Sequence, residues 1–329
     1  MQAALVTRVG TGWGETAGVE APDQPPGRMG GKRRGQRLFS RLLPGLLGLL
    51  PLLIPAAPAQ AETTLQRMAR SGTAVIGYRE ASIPFSYVDQ QNRPLGYTIE
   101  LCQRLVSALG KQLGRELKLE YRPVSPANRI EQVVGGQVDL ECGSTTNNAE
   151  RRKKVAFTVP HFISASRFMV KASSGLLEHG DLRRANIVTT RGTTAEKLFQ
   201  QLNLGTRLEV APDHRAAFAL LESGRADAFL MDDILLASLR ASARDPGQFR
   251  FLEHVYWIEQ LSIMFSRDDP ELKAAVDKEM KRLALAGEIH RLYHKWFELP
   301  IAPHGINLQW PMSFLLRDAL RHPSDAPAD

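Results

Sequence analysis

The sequence predicts an α/β protein of two lobes, each built on a mostly parallel sheet, with a ligand cleft between them. Three observations carry this expectation. Short β-branched runs alternate with segments of helical period, the rhythm of strand–helix units. The rhythm breaks near residue 163 and then starts afresh. The length of 329 residues exceeds what one core usually holds.

The first sixty residues stand apart from that pattern. Lys32, Arg33, Arg34, Arg37 and Arg41 form a basic cluster, an apolar run follows from Leu42 to Ile54, and Ala59-Gln60-Ala61 offers a small-x-small cleavage site. This is the order of a secretory signal peptide. A membrane anchor needs ~20 apolar residues, and this run is shorter and broken by Pro44, Gly45 and Pro51. Residues 1–28 are polar and rich in Gly and Pro, and read as an extension upstream of a start at Met29. The absence of Cys at the cleavage point argues against a lipid anchor.

Composition then excludes several classes. Apolar content of 43% and charged content of 23% are those of an ordinary globular protein. The formal charge of +7 owes much to the leader. Residues 1–61 hold seven bases and three acids, so the remainder carries 35 bases against 32 acids, a net of +3. Nucleic-acid binding loses its compositional support.

In the first lobe, Thr73–Tyr78 reads as a strand, Ile99–Leu113 as an amphipathic helix, and Leu117–Tyr121 as a strand. Ser125-Pro126 reads as an N-cap and first helical position, opening a helix through Val134 that Gly135-Gly136 ends. Val138–Cys142 is a third strand, and Asn148 caps a short helix through Lys154. In the second lobe, the strand Ile187–Thr190 precedes a helix over Thr193–Leu202. The strand Arg207–Val210 precedes a helix over Asp213–Ser223 closed by Gly224, and Ala226–Met231 precedes a helix over Asp233–Ala243. Extended segments near Ile163–Lys171 and Leu261–Ser266 are the natural crossings. Helices over Pro270–Leu285 and Glu288–Phe297 end the fold. The expected organisation is a leader over 1–61, a first lobe over 62–163, a second over 164–261, a return to the first over 262–299, and a C-terminal tail over 300–329.

Ligands of α/β sheets lie beyond the C-terminal ends of strands, so the residues that follow strands are the candidates. Arg79 follows the first strand. Gly143-Ser144-Thr145-Thr146 follows the third and leads to Arg151, a planar clamp suited to a carboxylate. Arg129 lies on the helix opened at Ser125. Thr193 and Thr194, His214 and Asp232 follow the strands of the second lobe. Arg79, Arg129, Arg151 and His214 against Asp232 suit a zwitterion with an extra carboxylate, because burying an unpaired charge is costly. Each also has a plainer reading: solvated arginines, capping hydroxyls and aspartates, a structural histidine. Clustering at strand ends in both lobes favours the ligand site.

Catalytic and metal signatures are absent. No G-x-S-x-G elbow surrounds Ser144. No H-E-x-x-H or paired Cys/His spacing marks a metal site, and no Walker motif is present. His290 and His294 read as an exposed helix end. Two readings stay open for Cys102 and Cys142, a bridge in an oxidising compartment or two buried thiols.

Gly77-Tyr78-Arg79-Glu80, Ile83-Pro84-Phe85-Ser86-Tyr87 and Gly96-Tyr97, and more specifically Glu141-Cys142-Gly143-Ser144-Thr145-Thr146-Asn147-Asn148, Glu150-Arg151 and Leu221-Glu222-Ser223-Gly224-Arg225-Ala226, form a recognisable set. By these blocks the chain resembles the family 3 solute-binding proteins of polar amino acid ABC importers. These last blocks are most similar to members that bind glutamate and aspartate, and the likeness runs from about Thr64 to Pro323. It implies the two-lobed type II periplasmic binding fold, a non-enzymatic monomer without cofactor, a membrane permease as partner, and L-glutamate or L-aspartate as ligand. It implies that Ser144, Thr146 and Arg151 hold the α-amino and α-carboxylate groups, with Asp232 on the ammonium. Arg79, Arg129, Thr194 and His214 would meet the side-chain carboxylate. Two positions depart from the pattern. Pro126 stands where such members carry serine, three residues before Arg129. The crossover Leu261–Phe265 lacks the cysteine of some relatives, so any bridge must join Cys102 to Cys142. A neutral polar ligand such as glutamine or asparagine, a dehydratase-like enzyme on the same fold, and a sensor domain are the competing expectations.

Overall fold

The computed structural model describes residues 62–303 and 305–327; the expected leader lies outside them. A capping box between Thr63 and Gln66 starts α1 (Thr64–Ser71). There follow β1 (Thr73–Tyr78), the short strands β2 (Ala81–Ser82), β3 (Ser86–Val88) and β4 (Pro94–Leu95), α2 (Tyr97–Gln112), β5 (Lys118–Pro123), α3 (Arg129–Val134), β6 (Leu140–Glu141), α4 (Ala149–Arg152) and β7 (Val155–Phe157). The long β8 (Phe162–Lys171) opens the second set: β9 (Ile187–Thr190), α5 (Thr194–Leu202), β10 (Leu208–Ala211), α6 (His214–Ser223), β11 (Ala228–Asp232), α7 (Asp233–Ser242), β12 (Phe249–Phe251) and β13 (Trp257–Leu261). β14 (Met264–Ser266), α8 (Pro270–Leu285), α9 (Glu288–Tyr293) and α10 (Phe314–Arg321) complete the chain.

Two sheets carry the two lobes. The first has the order β5-β1-β6-β14-β7, the second β10-β9-β11-β8-β12 with β13 also on β8. The two-lobed α/β class stands, but the sheets are mixed rather than mostly parallel. β1 pairs in parallel with β5 and β6, and β9 with β10 and β11. β14 and β8 run antiparallel to every strand they touch. Helix crossovers enforce parallel pairing only where a strand–helix–strand unit is complete. The crossing strands enter from the other lobe and owe no such constraint.

Local chemistry sets most element ends. Thr193 and Asp213 cap α5 and α6 through bonds to Glu196 N and Ala216 N, and Gly224 closes α6 in the left-handed region. Asn148 caps α4. The helix expected from Pro126 instead begins at Arg129. Ser125 N–H donates to Asn128 Oδ1 (2.8 Å) and Asn128 N–H donates to Ser125 Oγ (3.2 Å), a closed pair that fixes Pro126–Asn128 as a turn. His294 Nδ1 lies 2.7 Å from Glu298 Oε2 at an exposed helix end. After residue 300, Met312, Leu316 and Leu320 are buried, and Asp325 C=O accepts from Asn147 Nδ2 (2.9 Å) and from Arg152.

Candidate functional site

β11 delivers Asp232, the turn after β9 delivers Thr193 and Thr194, and the loop after β6 delivers Ser144 and Thr146. These five, with Arg129, His214 and Met231, line one small cavity of about 10 Å³. Seven of the nine expected ligand residues are therefore brought together. The other two, Arg79 and Arg151, are buried beside it; their guanidinium groups interact electrostatically with that of Arg129. Met231 is an addition.

The loop Glu141–Asn148 is held on three sides. Cys142 is bridged to Cys102 on α2, with 6.3 Å between Cα atoms, which decides between the two cysteine readings. Asn147 N–H donates to Gln260 C=O, Ser262 N–H donates to Thr145 C=O, and Thr146 bridges to Leu261, so the loop is zipped to the crossover after β13. Gly143 is required by crowding. A Cβ there would run into Glu141 Oε1 and lie 2.8 Å from Arg79 Cγ.

Across the cavity the lobes already touch. Arg151 donates to Thr146 C=O (2.9 Å) on its own side and to Gly192 C=O (3.5 Å) on the other. Lys197 pairs with Glu150, and Ser238 Oγ donates to Ile83 C=O (2.7 Å). Gly192, at φ +73°, lies against Pro126 and Ala127. This accounts for the turn at Pro126. It is a lobe-to-lobe contact rather than a helix start.

The site is electrically crowded. Burial, then the neighbouring Arg129, pulls the Arg79 and Arg151 guanidinium groups down to about 9, still cationic at neutral pH. Burial also lowers Arg129, against Glu141, Asp232 and Glu259. Asp232 is pushed well above the carboxylate range by burial and by Glu259 and Asp233. His214 is held well below its usual value by burial and by Arg79 and Arg129. It is neutral, so it supplies a hydrogen bond rather than the positive charge expected of it. Three arginines thus face four acidic groups, Glu141, Asp213, Asp232 and Glu259.

Several polar atoms await partners. Among the described residues, Arg79 Nη1, Arg129 Nε, His214 Nε2 and Asp232 Oδ1 are buried without a hydrogen bond. Such groups are costly unless a ligand satisfies them. Asp232 makes no cap bond to α7, whereas Asp233 binds Ser164 Oγ, Ala165 N–H and Ile234 N–H. Adjacent aspartates thereby divide into an anchor and a free acceptor.

Glu141 and Glu259 were not among the expected residues. Glu141 accepts from Thr145 Oγ1 at 2.6 Å. Glu259 accepts from Thr146, Ser166 and Thr194. The available signal was an acidic residue inside an apolar strand, Trp257–Leu261, which burial makes expensive without donors.

Fold and site together define a two-lobed α/β binding protein with a charged cavity enclosed between its lobes. The chain belongs to the bacterial extracellular solute-binding proteins, family 3, whose profile matches residues 74–299. It is 39% identical over 283 residues to the L-glutamate/L-aspartate-binding protein of Pseudomonas aeruginosa, covering 83% of this chain and 94% of that one. It is 37% identical over 275 residues to the glutamate/aspartate import solute-binding protein of Escherichia coli K12, covering 82% and 91%. A solved solute receptor for L-cysteine from Neisseria gonorrhoeae has the same fold, with TM-score 0.65 at 25% identity, covering 71% of this chain and 93% of that one.

Proposed function

We propose that this chain is the extracytoplasmic binding subunit of an amino acid ABC importer and closes two lobes on L-glutamate or L-aspartate. The observation that carries this reading is the cavity itself, lined by Arg129 with Arg79 and Arg151 buried beside it, where Asp232 keeps an unpartnered oxygen. An acidic amino acid carries the matching pattern of two carboxylates and one ammonium. Relatives at 39% and 37% identity are named for both ligands.

Arg151 and Ser144 hold the α-carboxylate, Asp232 and Thr146 the ammonium, and Arg79, Arg129 and neutral His214 the side-chain carboxylate. Thr193 caps α5 at the cavity wall. Residues 62–163 with 262–299 form one closing lobe and 164–261 the other, hinged where β8 begins and β13 ends. The leader over 1–61 is cleaved on export, and the mature monomer works in the periplasm with the permease subunits. The acidic groups that face the arginines favour one competing reading, a neutral polar amino acid such as glutamine or asparagine.

Calorimetric titration of the purified secreted protein with glutamate, aspartate, glutamine and asparagine separates the two. The acidic pair should bind below millimolar, with each amide weaker by about tenfold or more, the cost of an unmatched buried arginine. Amides binding as tightly as the acids would reject the acidic assignment.

A further inference from the structure

Four hydroxyls line the cavity, those of Ser144, Thr146, Thr193 and Thr194. A hydroxyl has one proton to donate and lone pairs with which to accept. Thr193 gives its proton to Thr190 C=O at 2.7 Å. Thr194 Oγ1 donates to both oxygens of Glu259 at 2.9 and 2.8 Å, and Thr146 Oγ1 donates to the same carboxylate. Ser166 Oγ adds a third bond at 2.7 Å. Glu259 is 3% exposed and does not itself line the cavity, so it grips the two threonines from behind. Thr146 follows β6 in one lobe and Thr194 opens α5 in the other. A single carboxylate therefore orients hydroxyls from both.

We propose that Glu259 is a positioning residue that sets the hydrogen-bond polarity of the site, turning Thr146 and Thr194 into acceptors that favour an α-ammonium group over an α-hydroxyl. As a carboxylate, Glu259 only accepts, so each threonine proton points away from the ligand and its lone pairs point inward. Together with the free oxygen of Asp232 they make a wall of acceptors. An ammonium, with three protons to give, satisfies such a wall, whereas a hydroxyl with one proton leaves acceptors bare. Thr194 consequently has no proton left for a ligand carboxylate, and its expected place on the side-chain carboxylate is replaced by one facing the ammonium. Among the described residues, Ser144 is the cavity hydroxyl not committed to a protein acceptor, and it stays free to donate to the α-carboxylate.

This inference rests on the amino acid reading above, and its test keeps the two apart. L-glutamate and (S)-2-hydroxyglutarate are titrated into the wild-type protein, Glu259→Gln and Thr194→Val. The carboxamide of Gln donates as well as accepts. Where its NH2 takes the place of the oxygen shared by Thr146 and Thr194, at least one threonine reverses and aims its proton at the ligand, whereas an NH2 on Ser166 leaves both as they are and Thr194→Val then decides. Glutamate affinity should fall by about tenfold or more in Glu259→Gln, and 2-hydroxyglutarate much less, so that the preference for glutamate shrinks. Thr194→Val should reduce the same preference, and decides the matter if Glu259→Gln does not fold. A glutamate preference unchanged in the folded variants overturns the role of Glu259. No amino acid binding by the wild-type protein overturns the reading of the cavity instead.

Discussion

Buried guanidinium groups repel one another, and Arg79, Arg129 and Arg151 share one site with polar atoms left over. Their roles separate on replacement. Arg151→Ala would remove the clamp proposed for the group common to all amino acids, and titration should show every ligand weakened by about 30-fold or more. Arg79→Ala or Arg129→Ala should weaken glutamate and aspartate far more than their amides. Asp232 gives a pH prediction. Its carboxyl is raised in the free protein by burial and by Glu259 and Asp233, so it keeps its proton to higher pH than an ordinary carboxyl, while a bound ammonium favours the carboxylate. Binding therefore expels a proton. Affinity should rise with pH, by at most about tenfold per unit, and level off above the free-state value. Calorimetry in buffers of different ionisation heats should detect the released proton, and Asp232→Asn should abolish it. Arg79, Arg129, Arg151, His214 and Asp232 were legible because each follows a strand or sits on the helix after one. Glu259 was not, because it lies within a strand and reaches the site through other side chains.

Closure depends on turns at the scale of elements. Gly192 combines a left-handed backbone, φ +73°, with a surface where a Cβ would lie 2.7 Å from Ala127 Cα and 2.7 Å from Pro126 O. Gly192→Ala should therefore hold the lobes apart. Glutamate affinity should drop about tenfold or more, and ligand-induced compaction in small-angle scattering should disappear. The caps Asn148, Thr193, Asp213 and Gly224 were readable because their bonds are local. Ser125 was misread for the same reason in reverse. Its partner Asn128 is local, but the two close a turn that the facing lobe shapes. The two- and three-residue strands β2, β3 and β4 are too short for any period to announce.

For the molecule as a whole, two alternating strand–helix series were enough to predict two lobes, whereas pairing direction was not. β8 and β14 are antiparallel because of where they come from, which periodicity does not encode. The Cys102–Cys142 bridge spans 40 residues of sequence and sits two residues before Ser144. Chain-entropy arguments give it about 4 kcal/mol. A Cys102→Ser, Cys142→Ser double variant should lose stability of that order in denaturant unfolding. In the proposed complex an acidic amino acid lies between the lobes with its carboxylates on the arginines. A crystal structure with L-glutamate tests it most directly. The ligand should fill the cavity with one carboxylate on Arg151, the other between Arg79 and Arg129, and its ammonium on Asp232. Glutamate found elsewhere, or with its ammonium facing the arginines, would contradict it.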